Sequence, residues 1–193
     1  DNHIHPERAT LIRRKEAPNF TFGISNILQR KITDKEADAL SALDHILTGT
    51  MYSRIYGTAR KKGLAYGVWS DFAVNERSSS WDFGGEVNSD KAEELFDIIV
   101  REIKKALQGD ISEQELNTVK QYFLGRFQMG AQTPAQIASF YTGRYFSDGF
   151  IKDYDRVPEY INNISVERIV AIAREFVAAH TWVFGGVSSE DRE

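Results

Sequence analysis

The chain contains no cysteine, which excludes disulfides and thiolate metal sites and leaves the compartment unassigned. No apolar run approaches the ~18 to 20 residues needed to cross a bilayer as a helix, so no membrane span is expected. Cationic residues form no block: Lys plus Arg is 24 against 28 for Asp plus Glu, a formal charge of −4. That balance argues against nucleic acid as a partner. Histidine is scarce. His3, His5, His45 and His180 are all there are, and none has a second His one helical turn away across an intervening Glu.

What is present suffices for a complete core. With 193 residues, 41% hydrophobic and 12% aromatic, such a chain buries roughly 70% of its unfolded surface. It reads as one domain, residues 1–193. Because it starts at Asp1 rather than Met and enters a strand almost at once, it is expected to be cut from a longer two-domain protein, with any targeting signal outside it.

Periodicity assigns the elements. Residues 9–14 and 19–25 read as a first strand pair, with Ala17-Pro18 as the turn between them and Phe20, Phe22 and Ile24 alternating against Thr21, Gly23 and Ser25. Thr33 and Glu36 form a capping box for a helix with Leu40, Leu43 and Leu47 on one face, ended by Gly49. A short helix spans 53–61 and Gly63 breaks it. Strands 65–74 and 78–87 follow as an antiparallel pair; Trp81, Phe83 and Val87 share one face, and Ser80, Asp82 and Glu86 the other. Ser89 opens a long helix carrying Leu95, Ile99, Ile103 and Leu107, closed by Gly109. Ser112 and Glu115 cap the next, with Leu116, Val119, Phe123 and Phe127 inward. Thr133-Pro134 starts another. Ser165 precedes the last, whose buried face is expected at Ile169, Val170, Ala173 and Val177, and TWVFGGV at 181–187 returns as a strand.

Strand pairs separated by runs of helices indicate an α+β fold, a mainly antiparallel sheet with helices packed on one face and the other face open. The polar alternation at Ser80, Asp82 and Glu86 suits a face that contacts a ligand and equally a face that is simply solvated.

Residues 47–69, LTGTMYSRIYGTARKKGLAYGVW, are the most specific stretch. They join a glycine-bearing helix exit, a short basic helix and a Gly-Leu-Ala-Tyr entry into a strand. This segment resembles the C-terminal half of the insulinase/pitrilysin-type zinc peptidases, the group that includes the mitochondrial processing peptidase. Upstream, LIRRKEAPNFTFGI looks like that group's opening strand, turn and strand, and ITDKEADALSALDHIL sits where its first long helix lies. Outside 47–69 the likeness is one of order and spacing.

The resemblance implies a half-domain of the processing-peptidase/pitrilysin-like metallohydrolase fold. Two such halves close like a clamshell, and their open sheet faces line a chamber for an unfolded peptide. The zinc-binding half carries H-x-x-E-H. That motif is absent here, so zinc and the catalytic residues are expected in the missing N-terminal half or in a partner, with none in this chain. The implied partners are a zinc-binding half-domain or subunit, a peptide substrate, and a dimeric assembly. The family's C-terminal half also supplies a Tyr and an Arg that hold the substrate backbone, chemistry that suits a phenol and a guanidinium. Tyr66 matches the tyrosine. Ala59 stands where the arginine is expected, and Arg60 beside it is turned by ~100° on a helix, an unpromising substitute. Taken alone, Tyr66 also suits an aromatic packed at a strand start. Ala59 leaves a second reading open: a non-catalytic homologue acting as partner or assembly subunit, comparable to the core subunits of respiratory complexes. A generic α+β ligand-binding domain would require the likeness at 47–69 to be accidental.

The remaining candidates read as structural. His3-x-His5 places both rings on one side of an extended segment but offers no third ligand. His45 flanks an apolar stripe, and His180 sits at a helix C-terminus, where the dipole favours a cation. The glycines at 84–85 and 185–186 lie within strand patterns and suggest bulges or close packing, unlike phosphate loops. Arg101, Lys104 and Lys105 suit a solvated helix face.

Overall fold

The local capping chemistry operates as the sequence indicates. In the computed structural model, which describes residues 9–14, 18–130, 132–148 and 154–188, Thr33 and Glu36 close a reciprocal capping box on α1 (Asp34–Thr48). Ser112 and Glu115 do the same for α4 (Glu113–Met129). Between them lie α2 (Arg54–Lys61) and α3 (Ala92–Leu107), the latter entered through a 3₁₀ turn at Ser89–Lys91. Three helices follow: α5 (Pro134–Asp148), α6 (Val157–Asn162) and α7 (Val166–Ala178). The strands are β1 (Ala9–Arg13), β2 (Phe20–Leu28), β3 (Ala65–Val74), β4 (Ser79–Val87) and β5 (Trp182–Ser188). His3, His5 and Ala17 lie outside the described residues.

One five-stranded sheet has the order β1-β5-β2-β4-β3. Three of its interfaces are antiparallel and one, β1 with β5, is parallel. The expected pairing of residues 9–14 with 19–25 is therefore corrected. The last strand inserts between them, so that Phe184 stands opposite both Ala9 and Ile24. Phe184 joins Phe20, Phe22 and Phe96 in an aromatic cluster, with Phe22 and Phe96 centroids 4.8 Å apart. Burying those rings rewards the long-range pairing.

The helices cover one face. Leu40, Leu43 and Leu47 of α1, Leu95 of α3 and Ile169 of α7 are fully buried against Trp81 and Phe83 of β4. Arg30, just after β2, pairs with Glu36 of α1 and Glu175 of α7, fastening both helices at one sheet end. Three sequence expectations are shifted by packing. On α7, Phe176 is buried with its centroid 6.2 Å from that of Trp81, while Val177 is 41% exposed. Phe127 packs on the Tyr154 ring at 4.4 Å, outside the main core. Arg101 and Lys105 also do more than face water, since both pair with Glu102, which is buried.

The paired glycines carry no bulge: Gly84 and Gly85 are both closely packed, whereas 185 and 186 divide between open space and packing. A Cβ on Gly186 would lie 2.8 Å from Phe20 Cε2 and 3.1 Å from Leu11 Cδ1, whereas one on Gly185 meets nothing within 4 Å. Gly186→Val should therefore destabilise the fold by about 1–3 kcal/mol through overpacking. Gly185→Ala should be neutral or stabilising by up to ~1 kcal/mol. Denaturant melts of the two variants check the contrast, which equal effects would contradict.

Candidate functional site

Gly63 determines where Tyr66 is held. At φ 63° it adopts the left-handed conformation after α2, where glycine avoids the Cβ penalty. Leu64 N–H donates to the Ala59 carbonyl and Gly63 N–H to that of Arg60, at 2.9 and 3.1 Å. This Schellman closure turns the chain back beside the helix it has just left. A β-bulge between Ala65 and Gly67 then shifts the register on β4. Tyr66 falls at that bulge and is 82% exposed.

The reversal brings Arg60 to Tyr66. Its guanidinium lies 5.5 Å from the ring centroid, within cation–π range. Ala59, where the resemblance calls for arginine, is fully buried. Position 59 thus faces the core, and position 60 reaches the tyrosine. The ~100° step between neighbouring residues is real, but the chain reversal places Tyr66 on the side to which residue 60 points.

Arg54 anchors the helix that carries Arg60. Its Nε and Nη2 donate to the two carboxylate oxygens of Glu115 at 2.7 and 2.8 Å, and Nη2 also donates to the Asp110 carbonyl at 2.8 Å. Buried Glu102 lies 3.9 Å from Nη1. The Arg54 hydrogen bonds hold the Glu115 carboxyl down at about 2. Gly57 lets α2 seat, because a Cβ there would lie 2.7 Å from the Met51 carbonyl oxygen.

From Tyr66 the open sheet face extends across four strands. Trp69, Gly84, Gly23 and Gly185 form a row in register. The Trp69 indole lies over Gly84, where a Cβ would come within 2.3 Å of the ring. Gly23 and Gly185 leave the sheet floor bare, with no atom within 4 Å of a built Cβ. Asp71 stands opposite Asp82 on one side of the row, and Ser80 Oγ donates to Asp82 at 2.7 Å. On the other side Asn19 donates to Glu86 at 2.7 Å. The face thus offers a phenol, a guanidinium, an indole platform and carboxylates around a low floor. These groups can hold a peptide through hydrogen bonds and ring contacts.

Among the described residues no group of three or more His, Asp or Glu is arranged to hold a metal ion, so the donors present do not fit zinc. His45 stacks on Tyr122 at 4.2 Å, and burial lowers its pKa. Sequence reasoning missed Trp69, whose signal was an aromatic facing a glycine on the neighbouring strand.

The family profile described as peptidase M16 inactive domain matches residues 3–123, more than half of the chain. No curated protein sequence matches it. A protease from Helicobacter pylori superposes with a TM-score of 0.80 at 18% identity, over 93% of this chain and 44% of the protease. A chain of complex III from Candida albicans gives 0.74 at 11% identity, over 93% of this chain and 45% of its own length. The inactive peptidase domain of a Bordetella parapertussis protein gives 0.66 at 14% identity, over 91% and 94%. At such identities the likeness is one of fold. The chain spans less than half of the first two relatives and nearly all of the third.

Proposed function

Because the chain belongs to the peptidase M16 inactive-domain family, we propose that it serves as the zinc-free wall of a peptide chamber, completed by a zinc-binding half in the same protein or in a partner subunit. The observation that carries this reading is the open sheet face, uncovered by the helical layer and bearing Tyr66, Arg60 and Trp69 at one edge. Tyr66 and Arg60 donate hydrogen bonds to carbonyls of an extended substrate. The bare floor at Gly23 and Gly185 admits its backbone close to the sheet. The zinc and the hydrolytic step belong to the other half, and the complete assembly contains at least these two halves.

A second reading, an assembly subunit without hydrolysis, is favoured by Ala59 at the expected arginine position. The complex III chain with the same fold is consistent with it. Arg60 beside Tyr66 moves the weight back toward peptide holding.

Amide-shift mapping tests the proposal. Titrating an unstructured peptide into the isotopically labelled chain should perturb Gly67, Trp69, Gly84, Gly23 and Gly185 and leave α3 and α7 unmoved. Shifts confined to the helical layer, or none at all, would contradict it.

A further inference from the structure

Under β3 and β4, on the face opposite the candidate site, lies a carboxyl group that peptide holding does not use. Asp44, on α1, is only 8% exposed. Its Oδ1 accepts from Trp81 Nε1 at 2.9 Å, and Oδ2 has no hydrogen-bond partner. One turn later Thr48 Oγ1 donates to the Asp44 carbonyl at 3.2 Å. The same oxygen accepts from Ser70 N–H at 2.9 Å and meets Ser70 Oγ at 2.8 Å. Asp44, Thr48, Ser70 and Trp81 thus form a polar seam that ties α1 to β3 and β4 within an otherwise apolar core. The neighbouring charges that raise the cost of ionising Asp44 are the carboxylates of Asp71 on β3 and Asp82 on β4.

An ionised carboxylate here would be buried with only the Trp81 indole and the Ser70 hydroxyl to favour it and two like charges nearby, an unfavourable state. A carboxylic acid removes the charge and gains an O–H donor for the unpartnered side. We propose that Asp44 is a proton-controlled latch between α1 and the β3–β4 edge of the sheet, closed while the carboxyl holds its proton and loosened when it ionises. The edge strand it releases is the one that bears Tyr66 and Trp69, so the device acts on the wall from behind.

Burial drives the group from its ordinary 3.8 up to about 7, opposed by hydrogen bonds from Ser70 and Trp81 and assisted by Asp71 and Asp82. The folded state therefore retains a proton that the unfolded chain has lost. Stability from this group is complete below 3.8 and declines as pH rises through about 7. His45, the neighbouring residue on α1, has its pKa lowered by burial, so it contributes in the opposite sense as pH rises. Glu36 and Glu115, both held at about 2, complete their titration at lower pH.

The test compares the chain with Asp44→Asn, which fixes the neutral form. Between about pH 5 and pH 8 the melting temperature of the variant should rise progressively above that of the parent. At the alkaline end, amide exchange in the second half of α1 and in β3 should be about tenfold slower in the variant at matched pH, reporting a local opening. Should Asp44→Asn fail to fold, infrared spectra of the parent decide the question. A protonated-carboxyl band should persist at mildly acidic pH and disappear with a midpoint near about 7. Parallel melting profiles, or no such band above the ordinary carboxylate range, would overturn the proposal.

Discussion

Arg54→Met should destabilise the fold by about 2 kcal/mol at neutral pH, the size expected for hydrogen bonds to charged groups in a part-buried pair. The size follows from what is left behind. Arg54 satisfies both oxygens of Glu115 and the Asp110 carbonyl and faces buried Glu102. Met preserves much of the apolar stem but removes these charge-assisted hydrogen bonds, leaving Glu115 with its Ser112 contacts alone and Glu102 with Arg101 and Lys105. Glu115 is also the reciprocal member of the α4 capping box, so the loss should spread from α2 to the start of α4. A chain of this size should lose roughly 4–8 °C in melting temperature. The sign with pH is fixed by Glu115, whose carboxyl is lowered to about 2 from 4.5. Its contribution is present above 4.5 and is lost as pH falls toward 2, so the difference between parent and variant should shrink on acidification. Urea melts with an unchanged slope would report this as a stability effect. A midpoint within error of the parent would mean that the clamp contributes nothing net.

Tyr66→Phe should have the opposite profile, with a large functional effect and a small structural one. The ring is 82% exposed, and Phe retains its contact with Arg60, so folding stability should barely change. In the proposed two-half assembly, the lost phenolic donor should lower kcat/KM by roughly a hundredfold, or about 3 kcal/mol, the cost typical of removing one transition-state hydrogen-bond donor. Arg60→Gln should weaken peptide engagement at the same edge. Ala59→Arg, which sequence matching suggests as a restoration of the family's pair, should instead destabilise the fold. Residue 59 is fully buried, and an unpaired charge there is costly.

The contrast between Ala59 and Arg60 shows where sequence legibility ended. Helix starts were legible because capping boxes are local: Thr33 with Glu36 and Ser112 with Glu115 needed only four consecutive residues. Gly63 was readable as a break, but its reversal of the chain, which brings residue 60 to residue 66, is a tertiary consequence. Strand alternation gave the faces of β4 correctly, since the side-chain period is two whatever the partner. It could not give the partner, and β5 entered between β1 and β2 because distant aromatic rings close there. On α7, Ile169, Ile172, Ala173 and Phe176 form the buried stripe. Val170 and Val177 lie on an adjacent stripe, and the packing of Phe176 on Trp81 marks the face that is buried. The open-face glycines Gly23 and Gly185 were visible as residues, but their alignment into one floor depends on a register that no local pattern specifies.

Peptide turnover by the zinc-binding half tests the central claim most directly, assayed alone, with this chain, and with its Tyr66→Phe variant. Turnover should require both halves and fall roughly a hundredfold with the variant while assembly stays intact. Equal turnover with and without this chain, or unchanged turnover on removing the Tyr66 hydroxyl, would contradict a substrate-holding wall built around Tyr66.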